Sequence, residues 1–425
     1  MLRIVYQLAE ARAELRRIGD RLSGTELETK KEAVERLLNK AKQKEGIILA
    51  SFDPTQASRP IRVAGSDLDA AYQQISQELL HAIQLSCQNL KIFHQRRIPK
   101  SWVHFGEDEN VIGRRYTPVD RVGIYVPGGE FPALSQILSL CIPAKVAGVA
   151  EVIMTTPPSG EGQIHPALLV AAQEAGIDEI YRLQGATAIA AMAYGMTTIN
   201  KVDLIVGSGG LEVALAKRYV QGAVGIDSVV DASELIVVAD NSGNSNDIAA
   251  QLLSQAEQNP LAAAILLTLD PQLAEAVQSS VSQQLTEHPH RLSTEKAIAH
   301  HGLIAVIESI DMAIELVNQF APQTLVLAFK DCWDQLEQIR HAGTIIFGGR
   351  MPRAIDDYLG GGSTNLPGGS TARFGAPIGV EFFLKSSNLL QYSPEALSEF
   401  AGALQILSQA EGKLANAWSL RPRNP

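Results

Sequence analysis

The chain has 425 residues, of which 46% are apolar and 19% charged, and its formal net charge is −10. This length and composition predict two or three packed domains and exclude a disordered chain. The acidic balance and the lack of a dense Lys/Arg track exclude a nucleic-acid surface, and no run of 18 apolar residues is present to span a membrane.

Two further features indicate where the protein works. Residues 1–44 alternate charged and apolar side chains and lack the apolar stretch of a signal peptide, so we expect a cytoplasmic protein. The three cysteines, Cys87, Cys141 and Cys332, are far apart in the sequence. We expect them to be reduced and mostly buried.

The first hundred residues have helical periodicity throughout. One helix is predicted around residues 22–41 and a second from Ser66 to Gln95, with charged side chains between the apolar ones. The Asp53-Pro54 and Arg59-Pro60 pairs predict a break between these two helices. The charged faces are either solvated or part of a subunit interface.

From residue 103 onward, short apolar runs alternate with helical patterns. Such alternation is typical of parallel sheets covered on both faces. Five strands are predicted at 122–126, 152–155, 179–183, 204–206 and 222–225, with helices near 140, 170, 190 and 215. Five more are predicted at 235–239, 263–267, 303–307, 325–328 and 344–347, with helices near 250, 275, 315 and 335.

The fold class predicted is therefore α/β, with two incomplete Rossmann-like parallel-sheet domains in series and helical extensions at both ends. We expect a helical N-terminal extension at 1–100 and a first Rossmann-like domain at 101–230. A second such domain is expected at 231–375. A C-terminal helical arm is expected at 376–425, packed either on another domain or on another subunit.

Three glycine-containing segments are candidate ligand loops. Residues 121–129, Arg-Val-Gly-Ile-Tyr-Val-Pro-Gly-Gly, form a strand that ends in a tight turn before a helix, a geometry that brings anions close to backbone N–H groups. Residues 207–210 also open a helix, but Glu212 stands where a dinucleotide fingerprint needs glycine. The third, residues 348–376, is long and contains Asp356 and Asp357, so either a functional loop or an ordinary turn is possible.

The nine histidines form no recognisable metal-ligand motif. The pairs His288/His290 and His300/His301 could hold a metal, although exposed surface histidines are the simpler interpretation.

Five blocks in the same order and at the same spacing make the chain resemble the histidinol dehydrogenases. They are Val-Gly-Ile-Tyr-Val-Pro-Gly-Gly at 122–129, Gly-Ala-Thr-Ala-Ile-Ala-Ala at 185–191, Lys-Val-Asp-Leu-Ile-Val-Gly at 201–207, Leu-Leu-Ser-Gln-Ala-Glu at 252–257, and Asp-Tyr at 357–358. A closing Ala-Glu at 410–411 completes the set. The resemblance implies a homodimer in which the C-terminal arm of one subunit completes the site of the other.

The resemblance also implies a reaction, the oxidation of L-histidinol to L-histidine in two NAD-dependent steps. In the family a zinc ion holds the substrate, a histidine acts as base, and the adjacent glutamate activates water. The family's Gly-Pro-Glu-His-Leu corresponds to residues 321–325, which place Gln323 and Thr324 at the two catalytic positions. Neither side chain is a general base near neutral pH, and each loss costs roughly 10²–10⁴ in rate.

The zinc positions implied by the resemblance are also substituted. They correspond to Gln255, Gln258, Asp357 and Asn416, which offer one carboxylate and three neutral amides. Because amide oxygens bind zinc poorly beside imidazole, we do not expect zinc to bind.

The remaining ligand positions are partly kept. Tyr125, Thr187 and Gly210 correspond to the family's contacts to NAD, and only the tyrosine is retained. Ser233, Thr364 and Glu411 correspond to substrate contacts, and the threonine replaces a histidine.

Three hypotheses follow. In the first, a cytoplasmic, dimeric homologue has lost the family reaction. It either binds a small molecule in the crevice between its domains, with a nucleotide such as NAD as one candidate, or acts through protein contacts. In the second, it is an NAD-dependent dehydrogenase with metal-free chemistry on histidinol or another small alcohol, using Asp357, Glu257 or Glu234 as base. In the third, it is a true histidinol dehydrogenase whose compensating groups the sequence does not reveal.

Overall fold

The computed structural model describes residues 2–21, 26–43, 60–106, 109–129, 131–159, 162–227, 233–362 and 367–419. Within these residues the chain forms a five-stranded sheet, a six-stranded sheet and a small three-stranded sheet. The two larger sheets are parallel throughout, and helices precede and follow them. The predicted fold class is confirmed. Among the described helices, none combines the length and the apolar character needed to cross a membrane.

The segment before the first parallel sheet is mostly helical. It contains β1 (Arg3–Val5), α1 (Leu8–Gly19), α2 (Glu26–Gln43), α3 (Gly65–Tyr72), α4 (Gln77–Gln95), β2 (Trp102–Phe105) and β3 (Val111–Pro118). The prediction of helix throughout 1–100 is wrong at β1, which joins the edge of the six-stranded sheet with Ile4 opposite Ile304. The helix predicted from Ser66 to Gln95 is two helices, because the Ser76 hydroxyl accepts a hydrogen bond from the Leu79 N–H at 3.2 Å and caps a new one. The predicted break at 53–60 lies almost wholly outside the described residues.

The first parallel sheet follows four of the five predicted strands closely, whereas the strand predicted at 222–225 shares only Gly225 with the observed one. Its elements are β4 (Arg121–Tyr125), α5 (Leu134–Ala147), β5 (Glu151–Thr156), α6 (Pro166–Ala175), β6 (Glu179–Arg182), α7 (Gly185–Tyr194), β7 (Leu204–Val206), α8 (Leu211–Val220) and β8 (Gly225–Ile226). The strand order is β6-β5-β4-β7-β8. Strands β5 and β6 are therefore added on one side of β4, and β7 and β8 are added on its other side. Ligands commonly bind where the strand order reverses in this way, outside the carboxyl ends of the strands.

The second parallel sheet repeats this arrangement. Its elements are β9 (Glu234–Ala239), α9 (Ser245–Glu257), β10 (Ala263–Thr268), α10 (Pro271–Thr286), α11 (Arg291–His301), β11 (Gly302–Val306), α12 (Ile310–Phe320), β12 (Thr324–Ala328), β13 (Thr344–Phe347) and α13 (Ala354–Tyr358). The strand order is β1-β11-β10-β9-β12-β13. All five predicted strands are confirmed, whereas the helix predicted near 335 is a short 3-10 helix, Cys332–Gln338.

The C-terminal part adds a sheet that the sequence did not predict. It contains β14 (Leu384–Gln391), α14 (Pro394–Ala410) and α15 (Leu414–Trp418). Strand β14 pairs antiparallel with β3, and β3 pairs with β2. All of β2 and most of β14 are exposed, so these strands lack the buried alternation by which a strand is recognised.

Each parallel sheet has a buried apolar cluster on both faces. Helices α4, α5 and α6 contribute to one cluster of the first sheet, and α2, α7 and α8 contribute to the other. Helices α9 to α11 cover one face of the second sheet, and α1 and α12 cover the opposite face. All three cysteines are free and buried, as expected. The domain boundaries themselves stay a prediction.

Candidate functional site

The sequence-predicted metal and substrate positions meet at the amino edge of the second sheet. Ser233 directly precedes β9, and Gln258 directly follows α9. With its amide in the orientation that satisfies both neighbours, Gln258 donates from Nε2 to the Ser233 hydroxyl at 3.0 Å. The Asn259 Nδ2 reaches the same hydroxyl at 3.5 Å. The structure therefore brings two of the predicted residues into direct contact.

A residue that sequence reasoning missed, Arg353, completes this cluster. The Gln258 Oε1 accepts hydrogen bonds from both terminal nitrogens of Arg353, one of them at 2.8 Å. The same nitrogens contact the Asp357 carboxylate, with Nη1 3.3 Å from Oδ2 and Nη2 3.4 Å from Oδ1. The side chains of Arg353 and Asp357 are only 7% and 17% exposed. A buried guanidinium thus joins two of the four predicted metal positions.

The spacing of Arg353 and Asp357 is the signal that could have found this pair. Residues four apart on a helix are neighbours, so opposite charges at that spacing predict an ion pair. Burial raises the pKa of the Asp357 carboxyl, and the positive charge of Arg353 acts in the opposite direction. Burial also raises the pKa of the adjacent Asp356, which a hydrogen bond from Thr344 opposes.

The two catalytic positions lie where β12 begins. Gln323 is 9% exposed, and its Oε1 accepts a hydrogen bond from the Glu234 N–H at 3.3 Å. Thr324 is 1% exposed and lies within the sheet, paired with Leu235 on one side and Thr344 on the other. The Gln323 side chain therefore links β12 to β9.

Glu234 belongs to a second buried ion pair beside these positions. Its carboxylate lies 3.2 Å from the Arg21 guanidinium, and the two side chains are 0% and 2% exposed. The Gly369 N–H donates to the same carboxylate at 3.1 Å. Burial raises the pKa of Glu234, and Arg21 and the hydrogen bonds act against that shift.

The other described metal and substrate positions make no hydrogen bond to this cluster. Gln255 is 0% exposed, and neither atom of its amide has a hydrogen-bond partner in the described part of the chain. Glu411 and Asn416 are exposed on the C-terminal arm, where Glu411 pairs with Lys413 at 2.6 Å. Helix α15, which carries Asn416, packs on α14. Thr364 lies outside the described residues.

The predicted dinucleotide positions lie together at the carboxyl edge of the first sheet. The buried Tyr125 hydroxyl accepts a hydrogen bond from the Gly185 N–H at 3.2 Å, and burial raises the pKa of this phenol. Thr187 is half-buried in the same first turn of α7, and Gly210 is exposed where α8 begins. The Glu212 Oε1 accepts from the Ala186 N–H at 2.9 Å. Glu212 thus caps α7. In the sequence it was noted only as the residue that replaces a glycine of the dinucleotide fingerprint.

The turn after β4 of the first domain contacts the second domain near its cluster of Glu257, His288 and His290. The Phe131 ring, in the turn after β4, packs edge-to-face on His290 with centroids 5.2 Å apart. The Nε2 atoms of His288 and His290 each lie 3.7 Å from the Glu257 carboxylate. Within the described residues, no group of three or more His, Cys, Asp or Glu side chains is placed to hold a metal ion.

These residues do not fit a zinc ion. Gln255 and Gln258 are neutral amides, and the Asp357 carboxylate already contacts a guanidinium. A second cation about 4 Å from Arg353 would meet a repulsion of roughly 4 kcal/mol per unit charge at an effective dielectric constant near 20.

The fit to NAD is also poor. Two N–H groups at the start of α7 already donate to Tyr125 and Glu212, so they are not available to an incoming anionic cofactor.

Nearly the whole chain is similar in sequence to proteins of one family. Residues 23–424 match the family model described as histidinol dehydrogenase. The chain is 50% identical over its full length to a Trichormus variabilis protein named histidinol dehydrogenase 2, covering 99% of that protein. It is equally similar to a Thermosynechococcus vestitus protein named histidinol dehydrogenase.

A solved structure of this family has the same fold. The crystal structure of histidinol dehydrogenase from Elizabethkingia anophelis superposes with a TM-score of 0.88 at 29% identity, covering 99% of this chain and 96% of that one. The chain therefore belongs to the histidinol dehydrogenase family.

Proposed function

We propose that this family member does not oxidise L-histidinol and that its interdomain crevice binds a polar small molecule. The observation that carries the proposal is the environment of Gln323 and Thr324. The Gln323 amide oxygen accepts from the backbone of β9, and Thr324 is buried within the sheet. Neither side chain transfers a proton near neutral pH, so neither position can supply the acid–base catalysis of the family reaction.

The carboxylates that could replace the lost base are already paired. Asp357 contacts Arg353, and Glu234 contacts Arg21. Glu257 lies between His288 and His290. A carboxylate held by a buried guanidinium is a weak proton acceptor, because taking up the proton would leave the cation without its partner.

The alternative function is an NAD-dependent dehydrogenase that works without a metal. One observation favours it, since burial raises the pKa of both Asp356 and Asp357, as it does for many catalytic bases. Replacing Asp357 with Asn would abolish such an activity. Reduction of NAD in the presence of a panel of small alcohols by the wild type, lost in the variant, would establish this alternative.

Gln255 supports a polar ligand in the crevice. Its amide is fully buried without a partner in the described residues, and such a group costs about 1–3 kcal/mol when it stays unsatisfied. A small molecule with a hydrogen-bonding group at that point would remove the penalty. Ser233, bonded to Gln258, is a second polar group at the same edge.

We also propose that the protein is a homodimer. Helix α14 supports this, because exposed apolar side chains recur at helical spacing along one of its faces: Leu397, Phe400, Leu404 and Leu407. An apolar face of this kind usually contacts another protein surface. Light scattering after size exclusion should give twice the chain mass, and Leu407→Glu should shift it toward the monomer.

A growth experiment tests the loss of activity. We expect the gene to leave a bacterium that lacks its own histidinol dehydrogenase dependent on added histidine, while a family member with the glutamate–histidine pair restores growth. Immunoblotting should show equal amounts of both proteins. Growth without histidine on this chain would refute the proposal.

A further inference from the structure

Arg353 places a fixed positive charge between two positions that the family resemblance assigns to a metal. Its two terminal nitrogens both donate to the Gln258 Oε1 on one side, and both contact the Asp357 carboxylate on the other. We propose that Arg353 is the permanent cation of this site, that it links Gln258 to Asp357 in place of a metal ion, and that it excludes zinc. This inference rests on the proposed function, because it takes Gln258 and Asp357 as the family's metal positions.

The chemistry of a guanidinium suits this role. It is planar, stays charged at any accessible pH, and presents a fork of N–H donors that matches a carboxylate. An amide oxygen is a poor zinc ligand but an ordinary acceptor for such donors. The amide at position 258 and the arginine at position 353 therefore form a matched pair.

The local structure holds the cation in place. Arg353 is the residue that precedes α13, and Asp357 lies one helical turn further on. The Arg353 side chain is 7% exposed, so the charge cannot swing into water without breaking both contacts. The Ser233 hydroxyl fixes Gln258 from the opposite side of its amide. Four side chains on three segments thus form one continuous hydrogen-bonded chain.

A consequence concerns the repair of the metal site. Restoring the family's groups with Gln258→His, Gln323→Glu, Thr324→His and Asn416→His leaves Arg353 beside Asp357. We expect this fourfold variant to take up no zinc. The same variant with Arg353→Ala should bind close to one zinc per chain.

Zinc content after dialysis, measured by mass spectrometry of the metal, gives the test. The matched control is the fourfold variant with Arg350→Ala, which removes an exposed arginine three residues away. We expect only the variant without Arg353 to retain zinc and to melt at a higher temperature when zinc is added. Equal zinc in all three variants, or none in the Arg353→Ala variant, would overturn the inference.

A double-mutant cycle on the otherwise native chain provides a second measurement that does not depend on the repaired site. Arg353→Ala should raise the equilibrium constant for unfolding at least about 100-fold, since it leaves a buried carboxylate unpaired. Asp357→Asn should remove most of that effect when it is added to Arg353→Ala. Additive effects of the two changes would contradict a fixed cation at this position. Failure of the proposed function would instead appear as histidinol oxidation by the wild type.

Discussion

The Glu212 carboxylate accepts a hydrogen bond from the Ala186 N–H at 2.9 Å, although the two residues belong to different helices. A negative charge at the first turn of α7 satisfies an N–H that has no partner within the helix and complements the helix dipole. The contact also places a carboxylate beside Gly185, where an added Cβ would lie 2.7 Å from the Glu212 Oε1. The start of α7 is therefore occupied by the chain itself.

We predict that Glu212→Ala lowers the free energy of unfolding by about 1 kcal/mol, the usual value of a helix cap. Urea denaturation followed by circular dichroism would measure the change. The control is Glu275→Ala on the exposed face of α10, which should stay within about 0.5 kcal/mol of the wild type. Glu212→Ala should also bind NAD more tightly in calorimetry, because it removes a negative charge from the start of α7 and frees the Ala186 N–H for an anionic group. Unchanged stability would show that the cap contributes nothing.

The buried ion pair between Arg21 and Glu234 provides a second prediction. Arg21→Met should destabilise the protein by about 3–5 kcal/mol, because Glu234 would then be an unpaired buried charge. Arg12 and Glu315 form an exposed pair at 2.8 Å, and Arg12→Met should cost less than about 1 kcal/mol. Similar losses in the two variants would mean that the buried pair has no special role.

Gln255 and Gln251 allow a matched comparison of two buried amides. Gln255 has no partner in the described residues, whereas the Gln251 Nε2 donates to the Gly349 carbonyl at 2.9 Å. In the ligand-free protein, Gln255→Met should raise the free energy of unfolding by about 1 kcal/mol because an unsatisfied amide is removed. Gln251→Met should lower it. If both variants are less stable than the wild type, Gln255 has a partner in solution.

His94 makes stability depend on pH. It is 0% exposed, neither ring nitrogen has a partner among the described residues, and burial lowers its pKa to about 4. Below about pH 6.5 the unfolded chain binds a proton that the native state does not take up until near pH 4. The free energy of unfolding should therefore fall with decreasing pH in this range, by up to about 1.4 kcal/mol per pH unit for this one group.

Replacing the ring tests this pH dependence. His94→Met should reduce the slope of stability against pH between 6.5 and 4, leaving the contribution of His301, whose pKa burial also lowers to about 4. The exposed His81 on the same helix is the control, and His81→Gln should leave the slope unchanged. An equal slope in the wild type and His94→Met would contradict this account.

The buried strands could be predicted from the sequence because each is an apolar run between helical patterns. Strands β9 and β10 are buried at every position, and both were found within one residue of their ends. Strand β1 was missed because three residues at the edge of a distant sheet leave no periodic signal. Strands β2, β3 and β14 were missed because their stability comes from pairing with one another and not from burial.

The candidate site could be predicted only where it follows the family pattern. Ser233, Gln258 and Asp357 were identified by resemblance, and the structure places them in one hydrogen-bonded cluster. Arg353 was missed because its role depends on Gln258, which is 95 residues away in the sequence. Glu212 was missed for a similar reason, since its partner lies on another helix. Both are charged groups that act on distant segments of the chain.

The most direct test of the central claim is the reduction of NAD by the purified protein with L-histidinol, with and without added zinc. The claim is that the side chains of Gln323 and Thr324 do not transfer protons to or from a substrate. We expect no reduced cofactor above the level of a protein-free control in either condition. Sustained turnover at a rate typical of enzymes, roughly 1–10³ per second, would contradict it.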